Sequence, residues 1–477
     1  MSLINGEDYK KRIEALTSTV WYDGEKITGN IGEHPAFRGA VQSQAALYDL
    51  QTDPALKDTM TTIENGELFG TSYLIPKTKA DLTKRREMVQ KWACHTGGLM
   101  GRSPDYMNTV LASFVASQSV FQNEENCFPD TLERFYMKAR EKDLSFTHTF
   151  INPQNNRSKL AFLEKDHQNA RIIKKTDDGI IIRGAKLLAT QGGITDELLV
   201  YSAPGAQEKE QAYAFSVPTD TRGLTFVCRS SLTNDNSRFN SPLSSRFEEM
   251  DAIVLFDNVC VPWDRVFFYE NIRAANNLYV KGMFVPFTLH QIVSRQVIKA
   301  ELILGIALKI VDEINIGEYQ HVQSKIAEMV KGTEMLKALL HHSEQTASKN
   351  EDGVMVPARL PLYTAINQFQ DLYPRFTEII QLLGASGLIT LPTERDFHSE
   401  IGTDLSGYLK TCESSGEEKV ALFRLAWDLT MSGFGTRQTL YERFFFGDPI
   451  RLQQTIYHTF DNEGPITLAD QFLQRKS

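Results

Sequence analysis

The spacing of apolar residues changes twice along the chain. From about residue 36 to residue 145, and again after about residue 280, apolar residues recur every three or four positions, which predicts amphipathic helices. Between about residues 146 and 275, short runs such as "GIIIRGAKLLAT" and "DAIVLFDNVCVP" alternate with turn residues and predict an antiparallel sheet or barrel. This order differs from that of doubly wound α/β proteins, in which strands and helices alternate throughout.

The same order divides the chain into three predicted domains. We expect a mainly helical domain over residues 1–145, a β-barrel domain over 146–275 and a helix bundle over 276–477. A chain of 477 residues exceeds the size at which single cores usually stop growing. The long C-terminal helices present more apolar surface than one chain easily covers, so we also expect a homo-oligomer.

Charge and composition narrow the function classes. The formal net charge of −9 argues against a protein that binds nucleic acid through phosphate contacts. The N-terminal region is polar, without the apolar core of a signal peptide, and no run of about 18 apolar residues occurs. We therefore expect a cytoplasmic protein that has no membrane span and works on small molecules.

The cysteines and common motifs exclude further classes. Five widely spaced cysteines, Cys94, Cys127, Cys228, Cys260 and Cys412, contain no CxxC pair, so we expect neither structural disulfides nor a metal site. The sequence also lacks the HExxH, P-loop, GxSxG and GxGxxG motifs.

The stretch "GGLMGRSPDYMNTVLASF", residues 97–114, contains a strong helix-start signal. Ser103 can cap a helix, Pro104 is tolerated at its first position, and Asp105 complements the positive end of the helix dipole. Arg102 would then lie just outside the helix and Tyr106 in its first turn. Taken alone, these two residues are also compatible with a surface ion pair and a core aromatic.

Two other stretches concentrate chemical groups. "FTHTFINPQNNRS", residues 146–158, carries more donors and acceptors than a buried loop could satisfy by itself, so it is either solvated or in contact with a polar ligand. "GTRQTLYERFFFGDPIR", residues 435–451, places three phenylalanines beside a Gly-Asp-Pro turn between Arg443 and Arg451. It is compatible with a phosphate-binding site or with a core aromatic cluster at a helix end.

These stretches, together with "PLSSRFEEMDAIVLFDNVCVPWDRVF" and "QLLGASGLITLPTERDF", carry a family resemblance. Over nearly its whole length the chain resembles the oxygenase component of the two-component, reduced-flavin-dependent 4-hydroxyphenylacetate 3-monooxygenases. The resemblance implies an α+β, acyl-CoA dehydrogenase-like fold: an N-terminal helical domain, a middle antiparallel β-barrel and a C-terminal helix bundle. It also implies assembly into a homotetramer.

The resemblance further implies an activity. Such enzymes add an ortho hydroxyl to a para-substituted phenol, most specifically converting 4-hydroxyphenylacetate to 3,4-dihydroxyphenylacetate. They use reduced FAD and O₂ through a C4a-hydroperoxyflavin. Because the sequence has no nicotinamide-binding fingerprint, we expect a separate NAD(P)H:flavin reductase to supply the reduced flavin.

The family motifs assign site residues by position. Arg102, Tyr106 and His148 are the expected catalytic residues, which hold the phenol oxygen: Arg102 stabilises negative charge, His148 acts as general base and Tyr106 orients the oxygen. Substrate binding is also expected from Ser103, Ser202, Ala203 and Pro204. The expected flavin contacts are His148, Thr149, Phe150, Ile151, Gln154, Asn155, Asn156, Arg157, Thr190, Gly447, Asp448, Pro449, Ile450 and Arg451.

One departure leaves the substrate open. Some relatives hold the substrate carboxylate with hydroxyl residues after the strand that here reads "ELLVYSA", whereas Ser202 is the only hydroxyl residue in 202–204. Another para-substituted phenol, such as tyrosol, a chlorophenol or a tyrosine derivative, therefore remains an alternative. We expect the segments 234–246 and 203–212 to fold over the site as a lid that excludes water.

Two other classes share the expected fold. 4-Hydroxybutyryl-CoA dehydratases hold an iron–sulfur cluster, which requires cysteines that this chain lacks within residues 97–103 and at Val297. His290, which such an enzyme would use, is then expected to serve packing or an oligomer contact. An inactive flavin-binding homologue is the non-enzymatic alternative.

Overall fold

The computed structural model describes residues 3–153, 168–233 and 235–473. The N-terminal region is mainly helical, as the spacing of apolar residues predicts. Its helices are α1 (Gly6–Ala15), α2 (Arg38–Thr52), α3 (Lys57–Met60), α4 (Lys79–Thr96), α5 (Pro104–Val115), α6 (Gln118–Phe121) and α7 (Pro129–Lys142). Its strands are β1 (Thr19–Tyr22), β2 (Glu25–Lys26), β3 (Thr61–Glu64) and β4 (Glu67–Gly70).

The middle region is built mainly of strands. They are β5 (Phe146–Thr149), β6 (Arg171–Lys175), β7 (Gly179–Thr190), β8 (Glu197–Tyr201), β9 (Tyr213–Pro218), β10 (Leu224–Cys228), β11 (Asp251–Pro262) and β12 (Val266–Tyr269), with the short helix α8 (Ser244–Phe247). Strand β11 shows the alternation expected of a sheet with one covered face: Ala252, Val254 and Phe256 are buried, and Ile253 and Leu255 are exposed.

Within the described ranges, these strands form two sheets and not one closed antiparallel barrel. One sheet has the order β2-β1-β10-β11-β7-β6 and the other the order β12-β9-β8-β5. Two of the pairings are parallel, β1 with β10 and β5 with β8, and in each the two strands are joined by a long stretch of chain, as parallel strands require, and not by a tight hairpin turn. The expected α+β class is confirmed, while the expectation of purely antiparallel pairing is wrong.

The C-terminal region is a helix bundle. Its helices are α9 (Ile272–Val280), α10 (Phe284–Glu313), α11 (Gln320–Gln345), α12 (Arg359–Gly384), α13 (Glu394–Phe397), α14 (Gly402–Leu409), α15 (Gly416–Thr430), α16 (Gly433–Phe444), α17 (Pro449–Thr459) and α18 (Glu463–Asp470). A two-stranded hairpin, β13 (Ser348–Lys349) with β14 (Met355–Val356), follows α11. None of the described helices is both long and apolar enough to cross a membrane.

Helix α5 lies at the centre of the molecule. Every residue from Pro104 to Phe114 is buried, and the helix packs against α7 and α10. A helix that is buried on all sides belongs to the interior of a large core. The loop that precedes α5 is therefore held between the N-terminal helices, the sheets and the bundle.

Candidate active site

The loop between α4 and α5 brings Arg102 into the interior. Gly97 ends α4 in the left-handed conformation, with a φ of 62°. A Cβ at Gly98 would lie 2.9 Å from the carbonyl oxygen of Arg295, and a Cβ at Gly101 would overlap the hydroxyl of Tyr441. The glycines thus allow the loop to pack directly against α10 and α16.

The backbone of Arg102 is fixed on both sides. The Glu249 carboxylate accepts the N–H groups of Gly101 and Arg102, at 2.8 and 2.7 Å. The side-chain amides of Gln44 and Gln191 donate to the Arg102 carbonyl oxygen, at 2.8 and 3.1 Å. All of these groups are buried, so the direction in which the guanidinium projects is set before any ligand arrives.

The Arg102 guanidinium lies among aromatic rings and one imidazole. Its Nε donates to Nε2 of His148 at 3.2 Å, and one terminal nitrogen donates to the hydroxyl of Tyr441 at 3.1 Å. Its carbon lies 4.4 Å from the ring centre of Tyr106 and 4.8 Å from that of Phe445. Burial alone would lower the Arg102 pKa, but Tyr441, Tyr106 and Glu249 outweigh it and raise the pKa, so the group stays charged.

His148 is held in one protonation state and one tautomer. Burial, and then the nearby Arg102 charge, lower its pKa well below the ordinary value, so the imidazole is neutral. Because a guanidinium can only donate, Nε2 must accept from Arg102, and the ring proton lies on Nδ1. Nδ1 faces the hydroxyl of Tyr201 at 2.5 Å and donates to it.

Aromatic rings enclose this pair. Tyr106 meets His148 and Phe445 edge to face, at centroid distances of 5.7 and 5.6 Å. Tyr441 stacks on Phe445 at 4.5 Å, and Phe150 stacks on Tyr201 at 5.2 Å. We call the group Arg102, Tyr106, His148, Tyr201, Tyr441 and Phe445 the aromatic cage. Burial raises the pKa of Tyr106 to about 12, so its hydroxyl remains a hydrogen-bond donor.

The cage brings three kinds of chemical group together in one buried place. Arg102, Tyr106 and His148 are 6%, 3% and 1% exposed, respectively. A fixed cation, a neutral phenol donor and a neutral imidazole can together bind an aromatic hydroxyl, accept its proton and stabilise the resulting oxyanion. The structure brings these three residues into contact with one another, and their catalytic roles stay a prediction.

Ser103 precedes α5 as expected, but its side chain does not cap the helix. Helix α5 begins at Pro104, and the Ser103 hydroxyl accepts no hydrogen bond from the first turn. Burial raises the pKa of the Asp105 carboxyl, and a hydrogen bond from Ser103 partly opposes this rise.

The expected substrate residues 202–204 follow β8, one position beyond Tyr201. The Ser202 hydroxyl donates to the carbonyl oxygens of Gln211 and Tyr213, at 2.8 and 3.1 Å, and accepts the Tyr213 N–H at 2.9 Å. Ala203 is partly exposed and Pro204 is exposed. The hairpin itself uses the only hydroxyl of this segment, and among the described residues no hydrogen bond joins the segment to Arg102.

The first part of the expected flavin segment continues from His148. The Thr149 hydroxyl donates to the Leu187 carbonyl at 2.6 Å, and Ile151 forms an isolated bridge with Leu187. The buried Lys186 ammonium donates to the carbonyl of Phe150 at 3.0 Å, and burial lowers its pKa to about 7. The expected contacts Gln154, Asn155, Asn156 and Arg157 lie outside the described residues.

Thr190 lies at the end of β7 in a charged cluster. Its hydroxyl donates to Asp251 at 2.8 Å, and Arg437 and Arg229 pair with the same carboxylate at 2.7 and 2.9 Å. Burial alone would raise the Asp251 pKa, but the two arginines and Thr190 bring it well below its ordinary range. The Thr190 oxygen keeps lone pairs with which it can accept a further hydrogen bond.

The segment 447–451 forms the turn between α16 and α17. The Asp448 carboxylate caps α17 by accepting the N–H groups of Ile450 and Arg451, at 3.0 and 3.2 Å. Side chains of α12 hold the carbonyl oxygens of Gly447 and Pro449, through Gln370 at 2.9 Å and Asn367 at 3.2 Å. Ile450 and Arg451 are exposed, and within the described part of the chain no hydrogen bond joins the segment to the cage.

The described part of the expected lid, residues 235–246, is tied to the C-terminal region. The Ser237 hydroxyl donates to Glu394 at 2.6 Å, and the Asp428 carboxylate accepts the N–H groups of Leu243 and Ser244, at 2.9 and 2.8 Å. None of its described hydrogen bonds reaches Arg102, Tyr106 or His148. The other expected lid segment, 203–212, is held at Gly205 and Ala206 by Asn276.

Comparison with known proteins places this geometry in a family. A family model described as 4-hydroxyphenylacetate 3-hydroxylase N terminal matches residues 5–268, and one described as 4-hydroxyphenylacetate 3-hydroxylase C terminal matches residues 275–474. The chain belongs to the 4-hydroxyphenylacetate 3-hydroxylase family. The family predicted from the sequence motifs is therefore confirmed.

Individual members of the 4-hydroxyphenylacetate 3-hydroxylase family match over almost the full length. The chain is 52% identical, over 99% of both chains, to a Bacillus subtilis protein named probable 4-hydroxyphenylacetate 3-monooxygenase. It matches a crystal structure of the oxygenase component of 4-hydroxyphenylacetate 3-monooxygenase, complexed with FAD and 4-hydroxyphenylacetate. That match has a TM-score of 0.94 and 42% identity and covers 99% of this chain and 98% of the other.

With 4-hydroxybutyryl-CoA dehydratases, the chain shares the fold only. An archaeal 4-hydroxybutyryl-CoA dehydratase from N. maritimus matches with a TM-score of 0.87 but 19% identity, over 95% of this chain and 92% of the other. His290 is buried in α10 and paired with Glu344 at 2.9 Å, as a packing role requires. Among the residues described, no three His, Cys, Asp or Glu side chains are grouped as a metal would need.

Sequence reasoning missed several residues of the cage in this family member. Tyr441 and Phe445 lie within the quoted segment 435–451, and their spacing of four on one helix face was a usable signal. Tyr201 and Glu249 gave no local signal, because their contacts with His148 and Arg102 join residues 53 and 147 positions apart.

Proposed function

We propose that this protein is the oxygenase component of a 4-hydroxyphenylacetate 3-monooxygenase. It adds a hydroxyl group ortho to the phenol oxygen of 4-hydroxyphenylacetate and forms 3,4-dihydroxyphenylacetate. Balanced over the reaction, one reduced FAD and one O₂ are consumed, and FAD and water are released. The observation that carries the proposal is the buried contact of Arg102 with His148, bordered by Tyr106.

The first step is binding of the phenol oxygen within the aromatic cage. The substrate O–H takes the place of the Arg102 Nε–H at Nε2 of His148. The guanidinium and the Tyr106 hydroxyl then donate to the same oxygen. Both remain donors at neutral pH, since the Arg102 pKa is raised and the Tyr106 pKa is about 12.

The second step is transfer of the phenol proton to His148. A phenol of ordinary pKa, about 10, is mostly protonated at neutral pH, yet its ortho carbon is a strong nucleophile only in the phenolate. Nε2 accepts the proton, and the Nδ1–H keeps its hydrogen bond to Tyr201. Arg102 stabilises the oxyanion without water, which the buried rings exclude.

The residues present fit a reduced flavin. The Thr149 and Thr190 hydroxyls each donate to a protein acceptor, which leaves their oxygens free to accept from ring N–H groups. The Gly447 backbone has a φ of 122°, and a Cβ there would meet nothing within 4 Å, so the turn is open to a ligand. When bound, the reduced flavin supplies, with O₂, the electrophilic oxygen that the phenolate attacks.

A separate reductase and a reducing compartment follow from this assignment. The sequence has no nicotinamide-binding fingerprint, and the similar solved structure is named as an oxygenase component. We therefore assign the supply of reduced flavin to an NAD(P)H:flavin reductase. All five cysteines are unpaired, which suits the cytoplasm.

We also propose that the protein is a homotetramer. The last two helices, α17 and α18, expose a row of large apolar side chains that a single chain leaves uncovered. They include Ile450, Tyr457, Phe460, Ile466, Leu468 and Phe472. A second copy of the chain would cover this surface.

A second candidate substrate class rests on Ser202. Because its hydroxyl is already used by the backbone of its own hairpin, residues 202–204 offer no free hydroxyl for a carboxylate. A para-substituted phenol without a carboxylate is therefore the alternative substrate.

A substrate panel tests the proposal. Purified protein receives reduced FAD, O₂ and one phenol at a time: 4-hydroxyphenylacetate, tyrosol, 4-chlorophenol or tyrosine. Mass spectrometry then identifies the products. We expect 3,4-dihydroxyphenylacetate to form fastest; a faster reaction with tyrosol or 4-chlorophenol would favour the second class, and formation of hydrogen peroxide alone with every phenol would refute both.

A further inference from the structure

A polar cavity lies apart from the aromatic cage. It has a volume of about 260 Å³ and lies between the start of α2, the end of α4 and the segment that leads into α8. This volume is below the range of about 300–1,000 Å³ that is typical for sites of drug-sized ligands. It therefore suits a small ion or one group of a larger molecule.

Three arginines line this cavity, and no carboxylate does. They are Arg38, Arg238 and Arg246, and we call the cavity the arginine pocket. Within the described part of the chain, none of the three guanidinium groups makes an ion pair or a side-chain hydrogen bond. Burial, and then the neighbouring Arg238 charge, lower the Arg246 pKa. An anion in the pocket would relieve this repulsion between like charges.

A buried hydroxyl gives a second, independent indication of a ligand. Ser245 is one of the residues in the wall of this cavity, and its Oγ atom is inaccessible to solvent and has no hydrogen-bond partner among the described residues. Such groups are rare in folded proteins because an unpaired buried hydroxyl costs free energy. In addition, α2 begins at Arg38 without a side-chain cap, so the positive end of its dipole is not neutralised at the pocket.

The walls of the pocket are held rigidly. A Cβ at Gly39 would overlap the carbonyl oxygen of Ser245, so α2 and α8 are in direct backbone contact. One turn further along α2, the Ser43 hydroxyl donates to the Arg246 carbonyl at 2.7 Å. The backbone segments that carry Arg38 and Arg246 are therefore held in fixed relative positions, which lowers the entropic cost of binding.

We propose that the arginine pocket binds a phosphate-type oxyanion, either free or as part of a phosphorylated molecule. Three guanidinium groups offer forked donors from several directions, and a tetrahedral dianion has oxygens to accept from each of them. A single carboxylate, with one negative charge and two oxygens in one plane, would neutralise only one of the three cations.

Calorimetric titration of the full-length protein with inorganic phosphate tests this proposal. The ionic strength is kept constant with sodium chloride, so that screening does not change during the titration. We expect saturable binding of one phosphate per chain, weakened by about tenfold or more in Arg246→Gln and in Arg38→Gln, because each change removes a charge-assisted hydrogen bond. Arg222→Gln is the matched control: Arg222 is exposed, lies outside the pocket and should leave the affinity unchanged.

The outcomes separate the sources of the anion. ADP is titrated in parallel: tighter binding of ADP assigns the pocket to a phosphorylated molecule, and equal or weaker binding assigns it to the free ion. Lack of saturable phosphate binding, or equal affinity in Arg246→Gln, overturns the proposal. A change in the number of subunits in Arg246→Gln, measured by light scattering, also overturns the proposal. It would indicate that Arg246 binds a carboxylate of another copy of the chain and not a phosphate. Equal melting temperatures of the variants exclude misfolding.

Discussion

His148 shows how contacts decide the chemistry of a single residue. An isolated histidine titrates near neutral pH and exchanges between two tautomers. Here burial, and then the Arg102 charge, lower its pKa. Arg102 also donates to Nε2, while the Tyr201 hydroxyl accepts from the Nδ1–H. The base therefore stays neutral well below pH 6.5, the unperturbed value, and any loss of activity through its protonation lies below that pH.

Replacing Tyr201 by Phe tests the tautomer assignment. The ring can still stack on Phe150, but Nδ1 loses its acceptor, so the imidazolium formed during catalysis is less stable. We expect hydroxylation to fall by about tenfold or more, a loss typical of groups that orient a catalytic histidine. Arg102 still donates to Nε2 in the variant, so nitrogen-15 NMR should show the same tautomer of His148 with a shifted Nδ1 resonance, because the Nδ1–H has lost its hydrogen bond. The exposed Tyr408→Phe serves as control, and an unchanged spectrum with unchanged rate would refute the assignment.

Replacing Arg102 by Ala tests its effect on the phenol pKa. Without the guanidinium, the phenolate loses its main stabilising charge, and a larger fraction must form in solution before it binds. The pH–rate profile of hydroxylation should shift toward higher pH. A loss by the same factor at every pH would instead indicate that Arg102 has only a structural role.

At the scale of elements, helix α16 joins the cage to a buried charged cluster. Tyr441 and Phe445 face Arg102, whereas Glu442, on the same helix, accepts from Arg295 at 2.9 Å and from Lys299 at 2.7 Å. Arg295 and Lys299 lie on α10 and are buried. The ion pairs therefore fix the helix that supplies one wall of the cage.

Replacing Glu442 by Gln should strongly destabilise the protein. Burial raises the Glu442 pKa, but Arg295 and Lys299 outweigh it and hold it at about 2, so the carboxylate is charged at all ordinary pH values. Its removal leaves two buried cations without a counter-charge, which typically costs about 3–5 kcal/mol. Thermal unfolding measures the effect against Glu334→Gln, an exposed residue paired with Lys337. Equal melting temperatures of the two variants would contradict this account of the cluster.

Local signals in the sequence predicted where helices and strands lie better than they predicted which strands pair with each other. The start of α5 at Pro104 follows from Ser103, Pro104 and Asp105, and the three regions follow from the spacing of apolar residues. The parallel pairing of Thr19 with Thr225 joins distant segments, so no periodicity indicates it. No periodicity indicates the contact of Tyr201 with His148 either. The trio Arg102, Tyr106 and His148 was predictable because motifs of the family contain these residues.

At the scale of the whole molecule, the exposed apolar row on α17 and α18 follows directly after the expected flavin turn 447–451. An oligomer contact there would cover the turn as well as the helices. Assembly and flavin affinity should therefore depend on each other.

Replacing both Ile450 and Tyr457 by Glu tests the assembly. Two charges on this apolar surface disfavour its burial, so the molecular mass measured by light scattering should fall below that of the proposed tetramer. Tyr408→Glu is the matched control, since Tyr408 is 89% exposed on α14. A tetramer that persists in the double variant would show that copies associate through another surface.

The claim that the aromatic cage is the site of phenol hydroxylation is tested most directly by the coupling ratio. This ratio is the amount of 3,4-dihydroxyphenylacetate formed per reduced FAD oxidised. We expect a ratio near one for the native chain and a fall of about a hundredfold in hydroxylation for His148→Asn, with FAD affinity retained, because only the base is lost. Hydrogen peroxide without catechol from the native chain, or an unchanged ratio in His148→Asn, would contradict the assignment of the cage as the site of phenol hydroxylation.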